Sequence, residues 1–249
     1  SSNYRKTKLI IMNIKEMQYD IKFKLNKVDS EQYRNLRIPE LDWVINEAYE
    51  IFVKSIAEPR TSNYLGFETS QRTIDDIRTI VVNDKSLIPT KLDNKTYTAT
   101  LPQDYMFFIS ANIVMSKKGC SDRIGRAIVR QHDDRFEVSP FDDSSFEWKE
   151  VNIRFYDGGI KIFTDGTFEI KEVKLNYIRK HAYIHNAQDF LPTGSYKLPS
   201  GQVLTGIQNC ELPDQTHREI VDIAVLILTN NLELPSYQFK QAKVNLNQT

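Results

Sequence analysis

The side chains best suited to chemistry in this chain are four histidines and two cysteines. Only one histidine stands directly beside carboxylates, in the run Gln131-His132-Asp133-Asp134. An imidazole next to two carboxylates can ligate a divalent metal or move a proton, provided that further groups converge on it. The run lies between a predicted strand and an irregular segment, where a solvated surface turn is the simpler interpretation.

The other histidines and the cysteines form no recognised motif. His181 and His185 are four residues apart, but they follow a predicted strand, so they do not form a helical pair of zinc ligands. His217 falls in the first turn of a predicted helix, where local packing or hydrogen bonding is expected. Cys120 and Cys210 match neither a zinc pattern nor a nucleophile motif, and two distant cysteines favour free thiols over a disulfide scaffold.

Glycine-containing motifs point to turns rather than to ligand sites. The chain has no Walker loop and no Gly-x-Gly-x-x-Gly fingerprint. Asp157-Gly158-Gly159 and Asp165-Gly166 resemble fragments of calcium loops, but they lack the alternating ligands and the final glutamate, so tight turns explain them. The sequence predicts no catalytic residue, no cofactor and no bound metal, and we expect a protein that is not an enzyme.

The balance of charges argues against a dedicated nucleic-acid-binding protein. The chain has 33 Lys+Arg and 33 Asp+Glu, so its formal net charge is zero and it lacks a basic excess. A nearly neutral protein also lacks the repulsion that keeps copies apart. One predicted strand carries basic residues with Glu169 and Glu172 between them, which is typical of a mixed solvent face; these are Lys171, Lys174, Arg179 and Lys180. No apolar window is long enough to span a membrane.

Apolar periodicity predicts helices near both ends of the chain. Spacings of three and four predict a helix over residues 14–28, with Ile14, Met17, Ile21, Leu25 and Val28 inward. A second helix covers residues 40–57 and starts at Pro39, with Leu41, Val44, Ile45, Ala48, Ile51, Phe52 and Ser55 inward. A third follows Thr69 or Ser70, with Ile74, Ile77, Ile80 and Val81 inward. A last helix over residues 214–231 carries apolar residues over more than one face.

The middle of the chain has the period of β-strands. Alternation predicts a strand at Tyr97–Leu101, and the apolar run Met106–Met115 fits either a strand or a helix. A short strand is expected at Arg126–Gln131. The segments 151–156, 160–163 and 168–178 are separated by the two glycine turns, so we expect an antiparallel meander.

These elements predict an α+β protein in which N-terminal and C-terminal helices form a bundle and a central antiparallel β-rich body lies between them in sequence. The expected regions are 1–90 (helical), 91–211 (β-rich, with a long loop at 185–211), 212–233 (C-terminal helix) and 234–249 (extended tail), as one composite domain. Met12 resembles a natural translation start, and residues 1–11 are interpreted as an upstream extension or an arm. Long loops in compact domains are usually functional.

Three pieces of the chain together resemble a known family. They are the helical pair Met12–Val28 and Pro39–Glu58, the run from Leu101-Pro-Gln-Asp-Tyr105 through the Ile153–Ile178 strands, and the helix start Leu212-Pro-Asp-Gln-Thr-His217. Their order and spacing resemble the head-to-tail connector proteins of short-tailed bacteriophages, also called adaptor or tail tubular proteins, and most of all the ring proteins of crAss-like phages. The resemblance covers most of residues 12–231.

The resemblance implies a structural virion protein at the head–tail junction, assembled in the host cytoplasm. Such proteins form homo-oligomeric rings, commonly of twelve copies, that lie below the portal protein and contact adjacent tail rings. DNA passes through the lumen during ejection without sequence-specific binding, which agrees with the absence of a basic excess. The 185–211 insertion departs from smaller adaptors, and we expect it to contact an adjacent ring.

Partner contacts are expected at the two turns Asp157-Gly158-Gly159 and Asp165-Gly166 and at Ile227 on the last helix. Two alternatives of other classes stay open. One is a tail-associated glycan or receptor-binding module that uses aromatic residues on the β-rich body. The other is a metal-dependent hydrolase centred on His132, Asp133 and Asp134.

Overall fold

A computed structural model describes residues 12–26, 36–57, 75–131 and 142–231 of the chain. The described α-helices of more than one turn are α1 (Ile14–Asn26), α2 (Ile38–Ala57) and α3 (Asp214–Asn231). A reciprocal pair of hydrogen bonds starts α1, because the Asn13 side chain accepts from the Glu16 N–H and Glu16 accepts from the Asn13 N–H. This capping box satisfies backbone donors that the first helical turn leaves free.

The chain divides into two compact units that do not follow the boundaries expected from sequence. The first unit combines residues 1–79 with 182–249, and the second is residues 80–181. The β-rich unit therefore begins about ten residues earlier than expected, and the 185–211 segment belongs with the helices rather than with the β-rich body. The reason is that this segment hydrogen-bonds to side chains of α1 and α2.

In the first unit, α3 packs against both α1 and α2, which touch each other over a shorter stretch. The inward positions expected for α1 are confirmed from Ile14 to Leu25, and Val28 lies outside the described residues. Those of α2 are confirmed at five positions: Leu41, Val44, Ile45, Ala48 and Phe52. Ile51 was assigned wrongly, because it lies on the exposed side of α2 with Trp43.

Residues 185–211 are not a plain loop. They form two small antiparallel strand pairs, His185–Asn186 with Ile207–Gln208 and Ser195–Lys197 with Val203–Thr205, and a 3-10 turn at Ala187–Asp189. The strands are β9 (His185–Asn186), β10 (Ser195–Lys197), β11 (Val203–Thr205) and β12 (Ile207–Gln208). Strands of two or three residues are too short to show an alternating pattern, which explains why glycines and prolines dominated the sequence-based interpretation.

The second unit is an eight-stranded sheet in the order β1-β8-β4-β5-β6-β7-β3-β2. Its strands are β1 (Val81–Leu87), β2 (Thr90–Lys91), β3 (Thr96–Thr100), β4 (Tyr105–Ser116), β5 (Arg123–Val129), β6 (Glu150–Tyr156), β7 (Gly159–Phe163) and β8 (Glu169–Arg179). Every neighbouring pair is antiparallel except β5 and β6, which are parallel. The α+β class is therefore confirmed, with a sheet that is largely antiparallel.

The two edge strands of this sheet are consecutive in the chain. Only Ile88 and Pro89 separate the end of β1 from the start of β2. Three virtual bonds between successive Cα atoms span at most about 11 Å. The sheet must therefore curl until its edges meet, and the Lys91 ammonium on β2 lies 3.6 Å from the Glu169 carboxylate on β8. Curling of this kind leaves little free strand edge.

Alternate side chains from these strands fill the inside of the curled sheet. The fully buried members include Ile113, Met115, Val151, Ile162 and Leu175, and the rings of Phe146 and Phe168 pack at 6.0 Å. The period of two places these residues on one face of each strand. Burial of apolar surface at roughly 25 cal/mol per Å² is the main stabilising term for such a core.

Two predictions about these elements are wrong. The third helix was expected to continue through Ile80 and Val81, but a helical turn at residues 75–77 is followed by β1, which starts at Val81; the expected start at residues 69–74 lies outside the described residues. The predicted three-stranded meander is wrong because β8 pairs with β1 and β4 rather than with β7. An eleven-residue strand buries its apolar face best against the twelve residues of β4, whereas β7 has five.

Candidate functional site

The turn between β6 and β7 has an exposed tip and a packed base. Asp157 and Gly158 are exposed, and Gly158 has φ +84, a conformation that glycine adopts without strain. Gly159 is buried and pairs with Thr100, and a Cβ there would lie 2.6 Å from the Ala99 carbonyl oxygen. Of the three residues expected to contact a partner, the geometry therefore leaves two available on the surface.

The turn between β7 and β8 holds Asp165 and Gly166 beside an open cleft. Asp165 is half-buried and accepts hydrogen bonds from the Thr167 N–H and hydroxyl, while Gly166 is exposed. The cleft has a volume of about 620 Å³. Its lining carries two ammonium groups, one carboxylate and several hydroxyl or amide groups, from Lys91, Lys118, Glu169, Ser116, Asn94 and Thr167. It is a polar surface depression with a small excess of positive charge.

Ile227 is half-buried near the end of α3. It follows Ile220 and Ile223 by seven and four residues, and both of these are buried. Residues at these spacings share one side of a helix. Ile227 therefore belongs to the side of α3 that packs within its own unit, rather than to its narrow exposed side at Gln215 and Arg218.

His217 and His185 both lie within hydrogen-bond distance of backbone carbonyl oxygens. His217 is buried, with Nδ1 2.8 Å from the Met12 carbonyl oxygen and Nε2 2.9 Å from that of Leu212. This contact ties the chain just before α1 to the start of α3. His185 lies against the carbonyl oxygens of Tyr183 and Thr205. His132, Asp133 and Asp134 lie outside the described residues.

The cysteines are separate, and neither forms a disulfide. Cys120 is exposed in the second unit, whereas burial raises the pKa of the Cys210 thiol in the first unit to about 12. A thiol of this kind is a weak nucleophile near neutral pH, because the thiolate is the reactive form. Within the described ranges, no three His, Cys, Asp or Glu side chains come together in a geometry suited to a metal ion.

Asp42 is the centre of a buried polar network that sequence reasoning missed. Its carboxylate is fully buried in α2 and accepts hydrogen bonds at both oxygens. Oδ1 accepts from the Gln18 side-chain amide of α1 at 2.5 Å, and Oδ2 accepts from the Asn186 N–H at 3.0 Å and the Tyr196 hydroxyl at 2.7 Å. Burial raises the pKa of Asp42, and these three donors oppose the rise.

Side chains around Asp42 extend the network along the 185–211 segment. Asn46 donates to the Ile184 carbonyl oxygen and accepts from the Ile184 N–H, at 2.7 and 2.9 Å. Asn186 donates to Gln18 and to Asp189, and Asp189 forms an ion pair with Lys15 of α1 at 2.9 Å. The network therefore fastens one short strand and the 3-10 turn onto α1 and α2 at once.

This network positions backbone and leaves no free carboxylate oxygen for acid–base chemistry. A buried carboxylate is tolerated when each oxygen has donors, and removing one partner is costly. A sequence signal did exist, because Gln18, Asp42 and Asn46 each stand next to inward apolar positions of their helices. Polar side chains at such positions must find partners inside the fold.

Large apolar side chains that remain exposed mark the candidate contact surfaces. On the helices they are Tyr19, Phe23, Trp43 and Ile51. On the second unit they include Ile88, Leu92, Ile124 and Trp148, and Trp148 is 82% exposed. Single exposed apolar residues are common, but exposed aromatic residues repeated along a helix are typical of interfaces.

No described helix is both long and apolar enough to cross a lipid bilayer. No protein-family model matches this chain, and no curated protein matches it by sequence.

Proposed function

We propose that this protein is a structural subunit of a homo-oligomeric ring at the head–tail junction of a bacteriophage. In this role the ring lies between the portal protein and the tail and forms part of the conduit for DNA. The subunit acts by shape and contact and performs no catalysis. In the finer form of this proposal, α1, α2 and α3 make a helical bundle, and the 80–181 unit is the β-rich body that the family resemblance implies.

The observation that carries this proposal is a pair of large exposed apolar side chains on each of the helices α1 and α2. Tyr19 and Phe23 are exposed on α1, and Trp43 and Ile51 are exposed on α2. Aromatic side chains are enriched at the centres of protein interfaces, where they bury large areas at small entropic cost. A protein with two such surfaces is suited to bind two neighbours.

The arrangement of the chain gives further support. Helices from both ends pack in one unit, and the sheet unit occupies the sequence between them. The resemblance implies the same order of a helical part and a β-rich part. The buried network around Asp42 holds the 185–211 insertion in a defined conformation, as a segment that contacts an adjacent ring requires.

The test is assembly of the purified protein, alone and with the portal protein of the same virus. Mass photometry and negative-stain electron microscopy should detect closed rings, with about twelve copies by the family resemblance, or ring-shaped particles bound to the portal. A protein that stays monomeric at all concentrations and ignores the portal would overturn the proposal.

A glycan-binding module is a second candidate, because Trp148 is almost completely exposed on the second unit. Its indole ring would stack on a sugar face in such a module. A glycan array with the unmodified protein and with Trp148→Ala distinguishes this candidate, since glycan binding that depends on Trp148 would favour it over the ring.

A further inference from the structure

The outer face of α1 is aromatic and basic. Tyr19 and Phe23 lie four residues apart with Lys22 beside them, whereas Lys15, four residues before Tyr19, is already paired with Asp189 at 2.9 Å. Tyr19 is 72% exposed and Phe23 is 49% exposed. The acids of α1 are directed elsewhere, because Glu16 caps the helix and Asp20 forms an ion pair with Lys24 at 2.8 Å. Lys22 has no hydrogen bond or ion pair with any residue that the structure describes.

The outer face of α2 is apolar and acidic. Trp43, Glu47, Glu50, Ile51 and Lys54 share this face and are all exposed. Trp43 is 53% exposed and Ile51 is 41% exposed. Glu50 pairs with Lys54 at 3.2 Å, whereas Glu47 has no hydrogen bond or ion pair within the described part of the chain.

The outer faces of α1 and α2 both point away from the buried core of the first unit. Each lies opposite the buried side of its helix, and both helices pack against α3. An ion pair between Lys24 and Asp222 joins α1 to α3, and a hydrogen bond from Gln18 to Asp42 joins α1 to α2. These contacts fix the inward sides of α1 and α2, so the outward positions of both helices remain on the surface.

We propose that the outer face of α1 in one copy binds the outer face of α2 in the next copy of the same chain. Lys22 then meets Glu47, and Tyr19 packs on Trp43 and Ile51. This inference rests on the proposed ring function and assigns the surfaces that build the ring. The occupant is a second copy because the charges and the apolar residues of the two faces are complementary.

A symmetric pairing of like faces is disfavoured by the same charges. Two α1 faces would place Lys22 against Lys22, and two α2 faces would place Glu47 against Glu47. In a pair joined α1 to α2, one copy keeps a free α2 face and the other keeps a free α1 face. Such head-to-tail contacts continue from copy to copy and close into a ring when the rotation allows it.

Charge reversal provides the sharpest test. Lys22→Glu alone and Glu47→Lys alone should each weaken assembly by roughly tenfold or more, because each creates a like-charge contact. An equimolar mixture of the two single variants should recover assembly, since alternating copies restore opposite charges at every contact. The double variant Lys22→Glu/Glu47→Lys should recover it too. Sedimentation velocity measures all four samples, with circular dichroism as the check on folding.

Lys85→Glu is the matched control, because Lys85 is an exposed lysine on β1 with no ion pair among the described residues. It should assemble as the unmodified protein does. If the unmodified protein forms rings and both single variants form them equally well, these faces are not the interface, although the ring function survives. If the protein is monomeric and the variants lose only portal binding, a different protein covers the faces and the second-copy proposal fails.

Discussion

Asp42 shows how one buried side chain can fix a long segment. Its fully buried carboxylate connects α1, the Asn186 backbone and Tyr196. Periodicity could not predict this role, because an isolated aspartate in a helix gives no pattern of its own. The expectation that 185–211 is functional stays a prediction, but the network now shows which residues hold its first part in place.

The pKa of Asp42 predicts a specific pH dependence of stability. Burial raises this pKa in the folded state above the usual value of about 3.9. As pH falls, the folded protein therefore binds a proton at Asp42 before the unfolded chain does. The stability that Asp42 contributes through this proton is fully present below the usual pKa and is lost as pH rises through the raised pKa. The unfolding free energy of the unmodified protein minus that of Asp42→Asn should increase as pH falls through the raised pKa of Asp42.

Urea unfolding at several pH values measures this difference. Asp189, whose pKa is lowered by hydrogen bonds from Asn186 and Lys15, contributes with the opposite sign. It is present in both proteins, so its contribution largely cancels in the comparison. A difference that stays constant or shrinks toward low pH would contradict the prediction.

Gly159 has a defined steric role in the turn between β6 and β7. A Cβ at this position would meet the Ala99 carbonyl oxygen at 2.6 Å and the Tyr156 hydroxyl at 2.9 Å. We expect Gly159→Ala to lower the unfolding free energy by about 1–3 kcal/mol, because backbone and ring must both shift. Asp157→Ala, at the exposed tip of the same turn, should change it by less than about 0.5 kcal/mol. Equal effects in chemical denaturation would argue against the close approach of β3 and β7.

At the scale of elements, sequence patterns predicted the helices and strands whose buried residues recur at a regular spacing. The spacing in α1 and the alternation in β8 each identify an element whose inward residues are indeed buried. Strand β1 was missed because only Leu87 in it is buried, and a bulge between Val82 and Lys85 interrupts its alternation. Asp84 has φ +52 at this bulge, which no propensity rule for strands anticipates.

Strand pairing was harder to predict than strand existence. The pairing of β8 with β4 joins residues far apart in the chain, and short turns favoured the wrong neighbour. Thr164 explains the observed path, because its N–H donates to the Lys95 carbonyl oxygen at 2.7 Å. The β7–β8 connection is thus held against the β2–β3 turn and carries the chain away from β7. Such a contact depends on the whole sheet and leaves no local signal.

A substitution on α3 distinguishes a role in folding from a role in assembly. Ile227 shares a side with Ile220 and Ile223, so Ile227→Asp should place a charge against an apolar surface of its own unit. We expect a loss of about 2–3 kcal/mol in unfolding free energy, since a charge there lacks a partner. Thermal unfolding followed by circular dichroism measures it, with the exposed Arg218→Ala as control. A variant that melts normally but fails to assemble would instead place Ile227 at a subunit contact.

At the scale of the whole molecule, ring formation should link stability to concentration. Anything that binds only the folded state stabilises it by mass action. If a second copy covers α1 and α2, the thermal midpoint of the first unit should rise with protein concentration. Trp43→Ala should remove most of this rise while leaving the midpoint at low concentration nearly unchanged, because Trp43 is exposed in the single chain.

Differential scanning fluorimetry over a hundredfold range of protein concentration is sufficient for this measurement. A gain of about 1 kcal/mol in unfolding free energy raises the thermal midpoint by a few degrees. Trp148→Ala, another exposed tryptophan but on the second unit, is the matched control. A midpoint independent of concentration in the unmodified protein would contradict self-association through the helices.

The two ends of the sheet unit lie side by side. The Arg179 N–H donates to the Ile80 carbonyl oxygen at 2.9 Å, and Val81 pairs with Ile178. A segment whose ends meet can be exchanged for another of similar end spacing without lengthening the chain that carries it. The 80–181 unit is therefore a natural cassette: a short glycine–serine link, or a foreign domain with adjacent termini, could take its place while the helices keep their own sequence.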